Sequence, residues 1–285
     1  MNYTPRLPGR NHNVTEVSPL RELAVLLGGL LAIIIFAYLL LGLGADLLVS
    51  RISPATEQKL AALLSSHYGK PSQPTPREIE LQAIINKMEQ SGCVDLPYPV
   101  SVHIVDSKTV NAMALPGGYI TVFSGLLKIV RSENELAFVL GHELGHFKHR
   151  DHLRGLGRGL VFAFLATLTG TSESAVSQLA IKAVQVTESG FSRSQEAAAD
   201  AYSLHILNCV YGHVGGATDF FIHMPKKLDP GHIGHYFASH PENKKRIQAL
   251  IALQRKKGYR SGPLIPLPAL KKRAVKEKKS YPSPR

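Results

Sequence analysis

Residues 134–149 read NELAFVLGHELGHFKH, and this stretch decides the fold. Leu136 and Leu140 lie one helical turn apart, so they share the face that a buried helix turns to the core. Just upstream, Ser132 and Glu135 fit a capping box, in which each side chain satisfies a free backbone N–H at the helix start. The sequence therefore predicts a helix that begins near Ser132.

The predicted helix carries an H-E-x-x-H pattern, formed by His142, Glu143 and His146. Positions four apart lie on one face of a helix, so both imidazoles can reach one metal ion. Glu143 lies at the edge of that face, where its carboxylate can take a proton from a water on the metal. The pattern predicts a zinc hydrolase site; a surface helix with ordinary His and Glu is the alternative.

A catalytic zinc ion needs a third protein ligand and an open position. His152 has the spacing of the longer pattern H-E-x-x-H-x-x-G-x-x-H, but His149 occupies the place of the turn-forming Gly. We therefore expect the helix to continue and to carry His152 away from the ion. The other candidate is Glu196, with Asp200 one turn further on and able to accept the second ring N–H of a ligand His. Ordinary solvated carboxylates are the alternative for this pair.

The rest of the central region predicts a small sheet among helices. Residues 100–105 alternate as a half-buried strand does, and the runs 111–115 and 119–123 flank Pro-Gly-Gly as a hairpin does. Further helices are expected at about 194–209 and 241–257. The fold class is therefore α+β, a mostly helical domain with a small β-sheet.

Composition and charge exclude several classes of protein. The chain has 285 residues, 44% of them hydrophobic and 19% charged, which excludes a wholly disordered chain. Its two Cys are too few for a disulfide scaffold, and their pairing is left open, with a reduced pair slightly favoured. The formal net charge is +12, and the basic end at 271–285 is expected to be solvated. Attraction to anionic lipid is the alternative for it; without a nucleic-acid motif, no nucleic-acid partner is expected.

One long uncharged stretch, LAVLLGGLLAIIIFAYLLLGLGA at 23–45, predicts a single membrane-spanning helix. A cleaved signal peptide is the rival, but its apolar core would be only about 7–15 residues. Lys and Arg flanking the stretch favour a cytoplasmic N-terminus by one residue, which predicts an extracytoplasmic catalytic part. A second apolar stretch at 157–170 is short for a span and is expected to form a buried helix, with a membrane-dipping segment as the alternative.

Four segments together carry a resemblance to a known family: NAMALPGGYI, NELAFVLGHELGHFKH, FSRSQEAAAD and SHPENKKRI, in this order across about 110–250. They resemble the membrane-associated gluzincin zinc metallopeptidases that include HtpX, BepA and the type I CAAX prenyl proteases, and most of all the bacterial branch with a single anchor. The resemblance implies one Zn2+ per chain, held by His142, His146 and Glu196. It also implies Glu143 as catalytic base and Asp200 as a residue that supports the site.

The resemblance implies further roles near the cleft. Residues 111–114 match an edge strand that binds an extended peptide substrate; a plain structural hairpin is the alternative. These residues are Asn111, Ala112, Met113 and Ala114. His240 matches a residue that contacts the metal or the developing oxyanion, with a helix-capping role as the alternative. Arg246 matches an Arg that pairs with a carboxylate near the site.

These interpretations divide the chain into segments and predict a function. The expected segments are an N-terminal tail at 1–22, a transmembrane anchor at 23–49, a helical connector at 50–98, a gluzincin metallopeptidase domain at 99–260 and a basic, disordered tail at 261–285. Six His match no motif and are expected on the surface or in packing: His103, His205, His213, His223, His232 and His235.

The expected function is that of a single-pass, membrane-anchored zinc metalloendopeptidase. It would bind membrane lipid through its anchor and act on protein or peptide substrates in protein quality control. The lack of several clear spans argues against a prenylated substrate. The alternative is a latent or inactive zinc-bound module of chaperone-like or assembly type; a non-peptidase zinc hydrolase would leave the peptide-binding strand without a purpose.

Overall fold

The computed structural model describes residues 18–59, 73–155, 157, 191–224, 240 and 243–267. The chain divides into two units, Met1–Arg51 and Ile52–Arg285. The predicted segments 1–17, 158–170 and 268–285, together with His232 and His235, lie outside the described residues.

The first unit contains one long helix, α1 (Pro19–Arg51), of 33 residues. At 1.5 Å per residue it is about 50 Å long, more than the roughly 30 Å of a bilayer's hydrocarbon core. Its window Pro19–Ala37 has a mean hydropathy of 2.2 and no buried residue, so length and composition suffice for a membrane span. The predicted anchor at 23–49 falls within this helix.

The second unit is a mostly helical α+β domain, which confirms the predicted fold class. Its elements in chain order are α2 (Pro76–Gln90), β1 (Ser101–Val105), β2 (Ala112–Leu115), β3 (Tyr119–Phe123), α3 (Ser124–Leu127), α4 (Glu133–His149), α5 (Arg193–Tyr211), α6 (Asp219–His223) and α7 (Asn243–Lys257). Shorter helical stretches occupy 54–59 and 151–155. The last helix, expected from Pro241, is described from Asn243 onward.

The sheet has three strands in the order β1-β3-β2. β2 and β3 pair antiparallel, with Met113 opposite Thr121, which confirms the predicted hairpin. β1 runs parallel to β3, with Val102 opposite Ile120. The central strand is therefore β3, and β1 and β2 form the two edges.

Side chains of α2 close the β1 edge. Three of them accept hydrogen bonds from backbone N–H groups along this edge: Glu78 from Ile104 (2.9 Å), Gln82 from Val102 (3.0 Å) and Glu89 from Val100 (3.2 Å). Gln82 also donates to the Val100 carbonyl at 2.8 Å. An edge strand with free backbone groups is a template for another strand. In the described sheet, β2 is the other edge, and α2 does not cover it.

The helices α4 and α5 approach each other closely because glycine lies at their contact. A Cβ on Gly145 would lie 2.7 Å from the Cα of Ala199, and a Cβ on Gly141 would lie 2.8 Å from Ser203 Oγ. The Ser203 hydroxyl donates to the Phe138 carbonyl at 2.6 Å. This contact brings the H-E-x-x-H motif of α4 beside the carboxylates of α5.

The end of α4 differs from the expectation that the helix continues to His152. The helix ends at His149, and Arg150 adopts the left-handed conformation with φ 57°. For a residue with a side chain this conformation costs roughly 1–2 kcal/mol. Arg150 Nη2 donates to the Ile52 carbonyl at 2.7 Å, a contact that helps to offset the cost.

The chain after α7 packs back onto the domain, although 261–267 was expected to belong to the tail. Ile265 donates its backbone N–H to Asn134 Oδ1 at 2.8 Å and accepts one from Glu133 at 2.8 Å. Ser132 and Pro266 form an antiparallel bridge. These contacts hold the first turn of α4, where Ser132 Oγ also accepts the Glu135 backbone N–H. The Glu135 carboxylate reaches the N–H of Arg131 rather than that of Ser132.

Cys93 and Cys209 form a disulfide, with their Cα atoms 6.5 Å apart. The bond connects the loop after α2 with the last turns of α5. The sequence left this pairing open and slightly favoured a reduced pair, because nothing local places two residues 116 positions apart within reach.

We predict that Gly145→Ala lowers the free energy of unfolding by about 1–3 kcal/mol, because the added methyl group has no room against Ala199. Chemical denaturation of the purified chain measures this. Ala197→Leu, which enlarges an exposed side chain of α5, is the matched control. Equal stability of Gly145→Ala and wild type would show that the two helices separate without cost.

Candidate metal centre

Four buried side chains converge at the contact of α4 and α5. They are His142 and His146 from α4, Glu196 from α5, and His240 from the segment before α7, each at most 2% exposed. Each offers a ligand atom, and these atoms all lie within 4.8 Å of one another. The structure thus brings together the three predicted ligands and adds His240, while Glu196 is buried rather than solvated.

Carboxylates orient both motif imidazoles. Asp200 Oδ1 lies 2.9 Å from His142 Nδ1, and Asp151 Oδ2 lies 3.0 Å from His146 Nδ1. A carboxylate only accepts hydrogen bonds, so each Nδ1 carries a proton, and Nε2 is the atom through which each ring can bind a metal ion. The two Nε2 atoms face each other at 3.1 Å.

This donor arrangement fits a divalent cation. Lone pairs on the two facing Nε2 atoms would repel each other, and a cation between them would turn the repulsion into attraction. Around tetrahedral zinc with bonds of about 2.0–2.1 Å, ligand atoms lie about 3.3 Å apart. Here Glu196 oxygens lie 3.5 Å from His146 Nε2 and 3.6 Å from His142 Nε2, and His240 Nδ1 lies 3.2 Å from His142 Nε2. Two or three imidazoles with one carboxylate form a ligand set that suits zinc.

The electrostatics of the cluster also favour a positive charge at its centre. Burial lowers the pKa of His142 to about 4, which keeps this imidazole neutral. Burial also lowers the pKa of His146, but Asp151 and Glu196 outweigh it and raise the value to about 9. Burial raises the pKa of Glu196, but His240 and His142 outweigh it and hold the value well below the usual range. A cation between the same atoms would take the place of the proton that they attract.

Glu143 lies beside the ligand cluster with an acceptor to spare. It is 1% exposed, and its Oε2 has no hydrogen-bond partner among the described residues. Its Oε1 lies 3.8 Å from His240 Nε2. Burial raises the pKa of this carboxyl, although the nearby imidazoles and the Ala114 backbone N–H oppose the shift. A buried carboxylate with a raised pKa and a free oxygen is suited to accept a proton.

Arg246 holds the two carboxylates of α5 in place. Its Nε and Nη2 donate to Asp200 at 2.9 Å and 2.6 Å, and its Nη1 lies 2.7 Å from Glu196 Oε2. The guanidinium also stacks over the Phe221 ring, 4.8 Å from its centroid. The sequence placed Arg246 near a carboxylate of the site, and the geometry supplies two.

Two residues of the site escaped the sequence analysis. Asp151, 1% exposed, orients His146 and in turn accepts from Gln195 Nε2 at 2.7 Å. The Phe191 ring stacks on the His146 imidazole, with centroids 3.8 Å apart. Asp151 reaches His146 only because the chain turns at Arg150, and no local signal in the sequence predicts that turn.

Other candidates lie where they do not ligate. His152 is buried, but its Nε2 lies 2.7 Å from Glu57 Oε1, away from the four-residue cluster. Residues 111–114 lie in and just before β2, which packs against α4. Four of the unassigned His are described, and none of them belongs to the cluster: His103, His205, His213 and His223.

Comparison with known proteins gives a consistent set of relatives. Metalloprotease LoiP of Escherichia coli is 35% identical over 156 residues, which cover 53% of this chain and 61% of the relative. The mitochondrial metalloendopeptidase OMA1 of Arabidopsis thaliana is 33% identical over 151 residues, 52% of this chain and 30% of the relative. A protease HtpX homolog of Thermodesulfovibrio yellowstonii is 36% identical over 105 residues, 35% of this chain and 32% of the relative. The chain thus spans less than two thirds of each of these relatives.

The match to peptidase family M48 covers residues 76–254. It begins well before the domain boundary expected at 99, in agreement with α2 being the helix that closes the β1 edge. It contains every ligand candidate, Glu143 and Arg246. Since this match extends over more than half of the sequence, the chain belongs to peptidase family M48.

Proposed function

We propose that the chain is a membrane-anchored, zinc-dependent metalloendopeptidase that hydrolyses peptide bonds in proteins. The observation that carries the proposal is the pair of Nε2 atoms 3.1 Å apart, each on a ring whose other nitrogen is committed to a carboxylate. The buried Glu143 beside them supports a hydrolytic rather than a structural site. The names of the relatives, metalloprotease and metalloendopeptidase, support the same activity.

In this proposal His142, His146 and Glu196 hold one Zn2+ per chain. When bound, zinc would polarise the scissile carbonyl and lower the pKa of water, so that hydroxide is available as the nucleophile near neutral pH. Glu143 accepts the proton of the attacking water and passes it to the leaving amine. The raised pKa of its carboxyl favours this transfer.

His240, Asp200 and Arg246 support the reaction from around the ligands. Asp200 keeps the lone pair of His142 directed at the cluster, and Arg246 fixes Asp200. His240 contacts either the metal or the developing oxyanion, since its Nδ1 faces the ligand atoms and its Nε2 faces Glu143. A donor to the oxyanion would stabilise charge in the transition state.

The substrate strand in this proposal is Asn111–Ala114, which would pair with an extended peptide. β2 is an edge of the sheet, and it packs against the helix that carries the motif. The proximity of the Ala114 backbone N–H to Glu143 supports a peptide path beside the base. Pairing through backbone hydrogen bonds tolerates many side chains, as cleavage of misfolded proteins in quality control requires.

The catalytic unit is proposed to lie on the extracytoplasmic side of a membrane. The apolar helix α1, long and apolar enough to cross a membrane, supports an anchor. The distribution of Lys and Arg around it favours an N-terminus inside. The Cys93–Cys209 disulfide supports an oxidising compartment for the domain.

The alternative, a latent or inactive chaperone-like module, differs in its use of His240. A fourth protein ligand would close the site, and His240 Nδ1 lies 2.9 Å from Glu196 Oε1. The buried Glu143 argues against a purely structural site, which needs no base. His240→Ala distinguishes the two: higher basal proteolysis would indicate a latent resting state, and lower proteolysis a donor in the reaction.

We predict that Glu143→Gln retains one zinc per chain and loses about 10²–10⁴-fold in kcat, because the amide cannot accept the proton. Metal analysis and cleavage of unfolded casein by the full-length protein measure this. Glu80→Gln, at a carboxylate that is 43% exposed on α2, is the control and should cleave like wild type. Undiminished cleavage by Glu143→Gln would remove Glu143 from the role of base.

We predict that Glu196→Ala loses zinc under a weak chelator, because the ligand cluster loses its one anionic member and keeps only imidazoles. Metal content after dialysis against a weak chelator measures the loss, with Glu80→Ala as control. A full zinc content in Glu196→Ala would move the third ligand to His240.

We predict that both Cys are protected in cells that express the chain. A polyethylene-glycol maleimide should shift the denatured wild type only after reduction. Cys93→Ser should be labelled at Cys209 without reductant. Labelling of unreduced wild type would place the domain in a reducing compartment and contradict the proposed side.

A further inference from the structure

Glu57 is buried although it lies only six residues after the end of α1. Its side chain is 1% exposed, whereas its neighbours in the stretch 54–59 are exposed. Its carboxylate accepts hydrogen bonds from the Tyr98 hydroxyl (2.8 Å), from His152 Nε2 (2.7 Å) and from the Gly117 backbone N–H (3.1 Å). Arg150 Nη2 lies 3.4 Å from its second oxygen. A buried carboxylate with four donors holds all of their segments together.

The first of these segments is the turn between β2 and β3. Gly117 and Gly118 have φ values of 82° and 86°, which glycine alone adopts readily. A Cβ on Gly118 would lie 2.5 Å from the Pro99 carbonyl oxygen and 2.9 Å from the Tyr98 ring. The turn is therefore packed against Tyr98 on one side and bonded to Glu57 through Gly117. This turn fixes where β2 ends.

The second segment is the end of α4. Arg150, in the left-handed conformation, contacts both Glu57 and the Ile52 carbonyl. His152 donates to Glu57 through Nε2, and its Nδ1 lies 3.4 Å from the His146 carbonyl oxygen. The turn that ends the metal-binding helix is thus bonded to residues 52–57.

The carboxylate of Glu57 is ionised at neutral pH. Burial raises its pKa, but the hydrogen bonds from His152, Gly117 and Tyr98 outweigh burial and hold it at about 2. Removing this ionised carboxylate would leave its buried donors without a partner. The desolvation penalty of these donors would add to the free energy of the lost hydrogen bonds.

We propose that Glu57 is a positioning residue: through one carboxylate, the segment that follows the membrane anchor sets the separation between the β2 edge and the end of α4. Peptide binding then depends on residues 52–57, outside the motif-bearing part of the domain. The inference rests on the proposed function, in which β2 is the strand that pairs with substrate. It gives residues 52–57, which lie before the family match at 76–254, a role in shaping the active cleft.

The test compares full-length Glu57→Ala with Gln58→Ala, a change at an exposed neighbour, in detergent micelles. With unfolded casein as probe, Glu57→Ala should raise KM about tenfold or more and change kcat less than about threefold, since both cleft walls move while the ligands stay. Zinc content should equal that of wild type. Amide exchange should accelerate at 115–119 and 147–153 but not at 204–207 in α5, as expected for local loosening. Gln58→Ala should match wild type throughout.

Several outcomes would overturn the proposal. A KM equal to that of wild type in Glu57→Ala would contradict the proposal. Amide exchange that accelerates equally in α5, or a loss of zinc, would also contradict it, since either would indicate a role other than setting the width of the cleft. If Glu57→Ala does not fold, Glu57→Gln serves instead: it keeps an acceptor for Tyr98 but turns amide hydrogens toward Arg150, so the same changes should appear with smaller size. Unchanged KM and exchange in Glu57→Gln would then contradict the proposal.

The proposed function and the positioning role fail in different ways. A wild type that binds zinc but does not cleave casein contradicts the peptidase assignment. The exchange pattern of Glu57→Ala, and the affinity of casein for it in the Glu143→Gln background, still report on the spacing. If exchange and affinity equal those of Glu143→Gln alone, Glu57 has no positioning role, whatever the wild type cleaves.

Discussion

The close contact between α4 and α5 is the constraint on which the rest of the site depends. Glycine at 141 and 145 removes the side chains that would hold these helices apart. Only at this distance can Glu196 and Asp200, on one helix, reach two imidazoles on the other. The four-residue cluster is therefore a consequence of helix packing, and looser packing would move its side-chain atoms away from their common centre.

That contact buries several charged side chains, and these side chains pair with one another in a connected network. Arg246 pairs with both α5 carboxylates, and Asp200 in turn orients His142. Asp151 does the same for His146 from the end of α4. Taking ions out of water is expensive unless each finds partners. The network therefore makes the ring orientations a consequence of satisfied hydrogen bonds.

The sequence predicted what local spacing determines. The helix start at Ser132, the hairpin around 116–118 and the two facing imidazoles four residues apart follow from periodicity and turn chemistry, and the structure has all three. The left-handed turn at Arg150 could not be predicted from local spacing, because Ile52, whose carbonyl Arg150 contacts, is 98 positions away. Asp151 depends on that turn and was missed with it. The same reason applies to the disulfide and to 261–267, whose contacts join distant parts of the chain.

The helix α2 makes the two edges of the sheet differ in their capacity to pair with another strand. Its Glu and Gln side chains accept the N–H groups of Val102 and Ile104 in β1 and of Val100 just before it, so these donors are not available to another strand. A protein that recruits extended chains at both edges could link copies head to tail into an open-ended fibre. With the donors of one edge occupied in the described sheet, edge-to-edge stacking of such sheets has no second site from which to continue.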